Sequence, residues 1–254
     1  MQFRVKSEIV RINFATPHAL YGAVVNRFKS GQGFALATLN LDHLVKLSAS
    51  KSFRDAYAKQ DLVVADGNPI VWLSHLAGKP VSLMPGSELI LPLAKLAAKE
   101  KIKVALVGST GATLKKASVV LKKQIPDLEI TISIAPSFGF DPKGLEADAI
   151  LAKLKIFDTG LCFLALGAPK QEVFAAHGRT IAPHICFASI GAGLDFIAGH
   201  QTRAPKWVRK FAMEWLWRML FSPLRLGPRY LRCILILPKL MADALRLRMT
   251  KARQ

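Results

Sequence analysis

Acidic residues, cysteines and long apolar stretches are all scarce in this sequence, and each scarcity excludes something. Asp and Glu total 17 against 36 Lys and Arg, a formal net charge of +19. Long-range electrostatics therefore favours anionic partners such as phosphorylated ligands, lipid headgroups or nucleic acid. Three widely separated cysteines, Cys162, Cys186 and Cys233, do not make a disulfide framework. The first two sit inside apolar runs, so all three are expected as reduced core residues. The six histidines form no H-x-x-x-H pair and no Cys/His set, which removes the usual zinc arrangements. There is no Asp-x-Asp pair to hold a metal against a diphosphate, no Gly-x-Ser-x-Gly elbow for acyl hydrolysis, and neither a dinucleotide fingerprint nor a P-loop. No metal and no cofactor are expected. No apolar run reaches the roughly 18 residues of a spanning helix, and MQFRVKSEIVRINF lacks the apolar centre of a signal peptide, so a cytoplasmic location is expected.

What is present is a repeated alternation. Apolar, β-branched-rich runs occur at 33–40, 61–67, 103–109, 129–135, 160–167 and 185–191, and stretches such as ELILPLAKLAAKE and GATLKKASVVLKKQI between them have helical spacing. Runs that are apolar throughout suit strands covered on both faces, and strand-helix alternation suits parallel pairing. The expected fold class is α/β, a Rossmann-like, mainly parallel sheet flanked by helices, over residues 1–199. Residues 200–254 hold thirteen Lys and Arg against two acids, with Trp207, Trp215, Trp217 and Tyr230 among them. They read as a basic, aromatic-rich helical appendage that packs at its start and loosens toward its end.

In a parallel sheet the ligand crevice lies beyond the carboxyl ends of the strands. The polar residues there are Thr38, Asn40 and His43, then Asp66 and Asn68, then Ser109 and Thr110 after Gly108, then Lys170 and Gln171, and finally Asp195. Asp66 is the sharpest of these. A carboxylate at a strand end, followed by Gly67 and a helix opened by Asn68 as N-cap and Pro69 at its first position, points into the crevice as a general base would. The plainer reading, that Asp66 only stabilises the turn and the helix start, is the more economical one on these residues alone. The turns VGSTGAT and LGAPKQE each lead into a helix whose free N–H groups, with Lys170 and Gln171 in the second case, suit either a phosphate or an ordinary turn. Arg225, Arg229 and Arg232 recur at i, i+4 and i+7, one helical face, with a kink possible at Gly227-Pro228. Beside Leu231, Ile234 and Leu235 they suit a membrane interface or a solvated basic face.

Taken in order, Thr38-Leu-Asn40 with Asp42-His43, Asp66-Gly67 with Val71-Trp72, Gly86-Ser87-Glu88-Leu89 and Leu166-Gly167-Ala-Pro169-Lys170-Gln171-Glu172 form one pattern. It continues with Gly191-Ala-Gly193-Leu-Asp195-Phe196, Arg203-Ala-Pro205-Lys-Trp207 and Glu214-Trp215-Leu-Trp-Arg218 with Pro223-Leu-Arg225 and Arg229-Tyr230. On these motifs the chain resembles the WecG/TagA/CpsF glycosyltransferase family over nearly its whole length. The resemblance implies an inverting, metal-independent transfer of N-acetylmannosamine or a related hexose from a UDP-sugar to an undecaprenyl-diphosphate-linked saccharide, in cell-envelope or exopolysaccharide synthesis. It implies Asp66 as catalytic base. It implies pocket contacts from Thr38, Asn40 and Gln171 and diphosphate contacts from the appendage arginines, for which Arg203, Arg218, Arg225 and Arg229 are the candidates; Gly86, Ser87, Gly108, Lys170 and Asp195 join them as candidate substrate-binding residues. The implied partners are the UDP-sugar donor, the polyprenyl-diphosphate-linked acceptor and an anionic membrane surface on its inner, cytoplasmic face, with no nucleic acid; a homo-oligomer is left open by the sequence. The alternative from another class is a non-catalytic basic module that binds membranes or nucleic acid, for which Asp66 would have no role.

Overall fold

A computed structural model describes residues 1–200, 208, 214–221 and 223–251. It opens with an antiparallel hairpin, β1 (Gln2–Val5) and β2 (Glu8–Arg11), which the apolar runs did not announce because each strand has only four residues. Phe3, Val5 and Val10 point inward from it. Strands and helices then alternate: α1 (Pro17–Ser30), β3 (Ala35–Leu39), α2 (Leu41–Ala49), α3 (Lys51–Tyr57), β4 (Leu62–Ala65), α4 (Asn68–Leu76), α5 (Gly86–Lys99), β5 (Val104–Gly108) and α6 (Gly111–Gln124). There follow β6 (Ile130–Ile134), α7 (Leu145–Ile156), β7 (Leu161–Ala165), α8 (Lys170–Ile181), β8 (Cys186–Ser189) and α9 (Gly193–Ile197). Two helices, α10 (Glu214–Phe221) and α11 (Pro223–Lys251), complete the described chain.

The six expected strands all form, and all pair parallel in the order β4-β3-β8-β7-β5-β6. Their side chains divide between two covered faces. Leu36, Val64, Leu106, Phe163 and Ala188 meet α1, α5 and α6, whereas Ala35, Val107, Leu164 and Phe187 meet α7 and α8, and Ala37, Leu39 and Val63 meet α2, α3, α4 and the hairpin. This two-sided burial is why those runs are apolar nearly throughout, whereas β6, ITISI at the edge of the sheet, alternates and is only partly buried. The three cysteines are free and buried, as expected.

The last strand, β8, inserts between β3 and β7. That insertion brings the exits of β4 and β3 beside those of β8, β7 and β5, so one rim carries all the loops that follow the strands. From β4 to β5 there are four strand spacings of about 4.8 Å, a rim of about 19 Å.

Helix α11 continues through Gly227 and Pro228, and it packs on the core as far as Leu247. Leu240 and Ala244 are buried against the α2, α4 and hairpin side, with Ile236, Leu237 and Leu247 partly buried beside them. The opposite face leaves Leu231, Ile234, Leu235, Met241, Leu245 and Met249 exposed. Among the described residues no helix is long and apolar enough to cross a membrane.

Candidate active site

Asp66 lies one residue past β4, and its N–H still donates to Leu39 O at 2.8 Å, so the ladder that builds the sheet also fixes this Cα. Its Oδ2 accepts from Thr38 Oγ1 at 3.4 Å and from Asn40 Nδ2 at 3.3 Å, both at the long end for hydrogen bonds. Thr38 is the fourth residue of β3 and is 4% exposed, while Asn40 is the N-cap of α2. Asn40 Oδ1 accepts the His43 N–H at 3.0 Å, so its amide nitrogen is turned toward Asp66. The helix after Asp66 starts one residue earlier than expected. Gly67, at φ 99°, is the N-cap of α4, and Asn68 is already helical and does not cap it with its side chain.

His43 does not join the rim. It is 4% exposed, its Nδ1 is 3.3 Å from Tyr57 Oη, and burial pushes its imidazole down to about 3, so it stays neutral. Tyr57 is equally buried; burial first, and then the charges of Glu172 and Asp66, hold its phenol well above its ordinary value.

Lys170 and Gln171 open α8 as expected, but the N–H groups there are not all offered to a ligand. The Gln171 N–H donates to Gly167 O at 3.1 Å, and the Gln171 side chain, 2% exposed, is bonded at both ends. Its Nε2 donates to Glu172 Oε1 at 2.8 Å and its Oε1 accepts from Gly191 N–H at 3.0 Å. Glu172 has no exposed surface, and burial pushes its carboxyl up to about 7 against the opposing pull of Gln171 and Lys46.

At the far end of the rim, Asp195 Oδ1 in the first turn of α9 accepts from Ser109 Oγ at 2.8 Å. Gly108, just before Ser109, is at φ 115°, and a Cβ there would lie 2.4 Å from Ala165 O, so β5 and β7 come this close only without a side chain. Gly86 opens α5 in a similar squeeze, with Ile190 Cα 3.0 Å from where its Cβ would be. Ser87 follows it and lines an open cleft of about 560 Å³ between α5 and α9, with Leu91, Pro92, Phe196 and Ile197. This cleft does not include Asp66. The cleft walls are largely apolar, whereas the Asp66 rim gathers oriented polar groups from several strand ends.

Arg229 reaches the site from α11. Its Nε is 3.1 Å from Asp42 Oδ1, near enough for an ion pair although not aligned for a hydrogen bond. Asp42 Oδ2 also meets Lys46 Nζ at 2.9 Å, and Lys46 donates to Ala168 O at 3.0 Å in the loop before α8. Asp42, Lys46, Tyr57 and Glu172 were not singled out from sequence as site residues. A charged residue in the first turns of a helix reads there as solvated, and nothing local shows that these turns are buried. Arg203 lies outside the described residues, as do the side chains of Arg218 and Arg225. Among the described residues, no three or more His, Cys, Asp or Glu side chains converge in a way that could hold a metal ion.

Comparison with known proteins bears on this rim. Residues 8–254 match the profile of the glycosyl transferase WecG/TagA/CpsF family. Among curated proteins, the chain is similar to the N-acetylglucosaminyldiphosphoundecaprenol N-acetyl-beta-D-mannosaminyltransferase of Staphylococcus aureus strain NCTC 8325 / PS 47. The two are 27% identical over 200 residues, 78% of this chain and 76% of the relative. The same figures hold for the proteins of that name from strains COL and MRSA252.

Proposed function

Matched from residue 8 to 254, the chain belongs to the WecG/TagA/CpsF glycosyltransferase family, and from that premise we propose that it moves N-acetylmannosamine or a related hexose from a UDP-sugar to an undecaprenyl-diphosphate-linked saccharide, with inversion and with Asp66 as general base. The observation that carries this reading is the Asp66 carboxylate, anchored by the ladder to Leu39 and turned by Thr38 and Asn40 at the carboxyl end of the sheet. A base on a rigid strand end keeps its position through the reaction.

In the proposed step the acceptor oxygen attacks the anomeric carbon from the side opposite UDP. The acceptor's proton passes to Asp66, and the bond from the anomeric carbon to the diphosphate oxygen breaks with its electron pair on the departing UDP. The configuration inverts because attack and departure occur on opposite faces. Fixed cations near the diphosphate lower this barrier most when the site excludes water. Arg203, Arg218 and Arg225 are assigned to that task on sequence alone. Arg229 has structural support, since its pairing with Asp42 ties α11 to the helix that Asn40 caps.

Membrane association, from the cytoplasmic side, is part of the same proposal. It is supported by the exposed apolar face of α11, with the exposed Arg232, Lys239 and Arg246 on the same helix. An apolar face that enters the headgroup boundary beside basic side chains is the pattern of an interfacial helix, and an acceptor on a lipid diphosphate has to be met there.

The test is UDP release from a panel of UDP-sugars with a soluble lipid-diphosphate-saccharide acceptor, for wild type and Asp66→Asn, with EDTA present. Acceptor-dependent turnover that survives EDTA and collapses in the variant supports the reading and names the donor. Equal turnover in both proteins removes Asp66 from its role. Silence across donors, together with salt-sensitive binding to lipid or nucleic acid that is indifferent to Asp66, favours a basic binding module instead.

A further inference from the structure

Glu172 is a fully buried carboxyl to which the transfer chemistry assigns no task. One of its oxygens accepts from Gln171, and the other, Oε2, has no hydrogen-bond partner among the described residues. A buried carboxyl is costly, so its position calls for a compensating role. Resting on the reading that this rim receives the donor, we propose that Glu172 is a positioning residue: it sets the Gln171 amide so that the amide clamps the Gly191 turn, and with it Asp195, for the donor.

The geometry is directional. A Gln side chain ends in a donor and an acceptor, and only one orientation satisfies both neighbours here. Glu172 Oε1 takes the Gln171 Nε2 hydrogen at 2.8 Å, so Gln171 Oε1 is left to face the Gly191 N–H at 3.0 Å. The reversed amide would set a donor against the Gly191 N–H and lose that bond.

Gly191 opens the turn into α9, where the Asp195 N–H donates to Ala192 O at 3.1 Å and the Asp195 carboxylate accepts from Ser109. The Gln171 amide therefore joins the start of α8 to the exit of β8, and the Ser109–Asp195 bond joins the turn that follows to the end of β5. Glu172 is itself pinned from the loop between α3 and β4, where Gln60 Nε2 donates to its backbone oxygen at 3.1 Å. The charged or titratable groups whose electrostatics bear on it are Lys46 on α2 and Tyr57 on α3, with Asp66 and His43 beyond Tyr57. A neutral carboxyl accepts the Gln171 bond as an ionised one does, so glutamine can take its place and leucine cannot.

The test compares Glu172→Leu, Glu172→Gln, Gln171→Ala and the double variant Gln171→Ala/Glu172→Leu, with Glu172→Met in reserve if leucine is not accommodated. Two quantities are read: deuterium uptake over residues 187–196, and kcat and KM for the donor. Small misplacements of a bound substrate cost up to about 100-fold. The expected result is faster uptake and a donor KM raised by roughly 10-fold or more in Glu172→Leu, with a smaller change in kcat. Glu172→Gln should restore both, and Glu172→Leu should add nothing in the Gln171→Ala background, because residues acting through one contact are not additive. Unchanged uptake in Glu172→Leu, a further loss in the double variant, or a Glu172→Gln protein as impaired as Glu172→Leu would each overturn the assignment. Exchange is read whether or not turnover is found, so absence of sugar transfer by the wild type counts against the proposed function alone, and absence of an exchange response counts against Glu172.

Discussion

Replacing Glu172 by glutamine should make the protein more stable above neutral pH and leave it nearly unchanged in acid. Burial raises the Glu172 carboxyl from 4.5 to about 7 in the folded chain. Below pH 4.5 the carboxyl is protonated in both folded and unfolded protein, and its titration contributes no difference. Between 4.5 and 7 the unfolded chain gives up its proton while the folded one keeps it, so unfolding releases a proton and stability falls as pH rises. Above 7 both states are ionised and the whole penalty persists. A shift of about 2.5 units at about 1.4 kcal/mol per unit corresponds to a loss of about 3 kcal/mol by pH 8. Glutamine keeps the acceptor for Gln171 and carries no charge, so it escapes the penalty. Urea denaturation of both proteins from pH 4 to pH 8.5 measures the difference directly, because groups common to both cancel. A difference that starts near zero and grows toward about 3 kcal/mol is expected. A flat difference, or a wild type more stable than Glu172→Gln at pH 8, would mean that the carboxylate is ionised and compensated in the fold, and the reasoning from burial would be wrong.

Other perturbations follow from the same structure. Asp66→Asn should lower kcat by about 100-fold or more, the usual contribution of a positioned base, while leaving the denaturation midpoint close to that of wild type. Gly108→Ala should cost at least about 3 kcal/mol, since it adds a Cβ 2.4 Å from Ala165 O at φ 115°; a variant as stable as wild type in urea would show that β5 and β7 can part there without loss. The pair Leu231→Ser and Leu235→Ser removes two exposed apolar side chains from α11. It should weaken sedimentation with anionic vesicles by roughly 10-fold or more without changing the far-ultraviolet circular dichroism, since each leucine withdrawn from an apolar phase forfeits about 1.5 kcal/mol or more.

The sequence by itself determined the class of the fold, the six parallel strands and the identity of the rim, because these depend on local patterns. A run that is apolar throughout announces a strand buried on both faces, and the polar residues that follow its carboxyl end border the crevice, which is how Asp66, Asn40 and Asp195 became candidates. Local pattern also gave the helical character of the basic appendage. It could not show that His43 turns away from the rim to meet Tyr57, or that the Gln171 amide is consumed by Glu172 and Gly191 instead of facing a ligand. It did not show that Arg229 meets Asp42 or that α11 stays packed as far as Leu247. Each of these depends on which strand neighbours which. The insertion of β8 between β3 and β7 joins segments that are about 150 residues apart in the chain, Ala35 beside Phe187. Burial of a polar side chain follows from such long-range pairing and from nothing in its own neighbourhood. A glutamate in the first turn of a helix has the same local sequence whether water or a packed interior covers it, and only the tertiary structure decided that for Glu172.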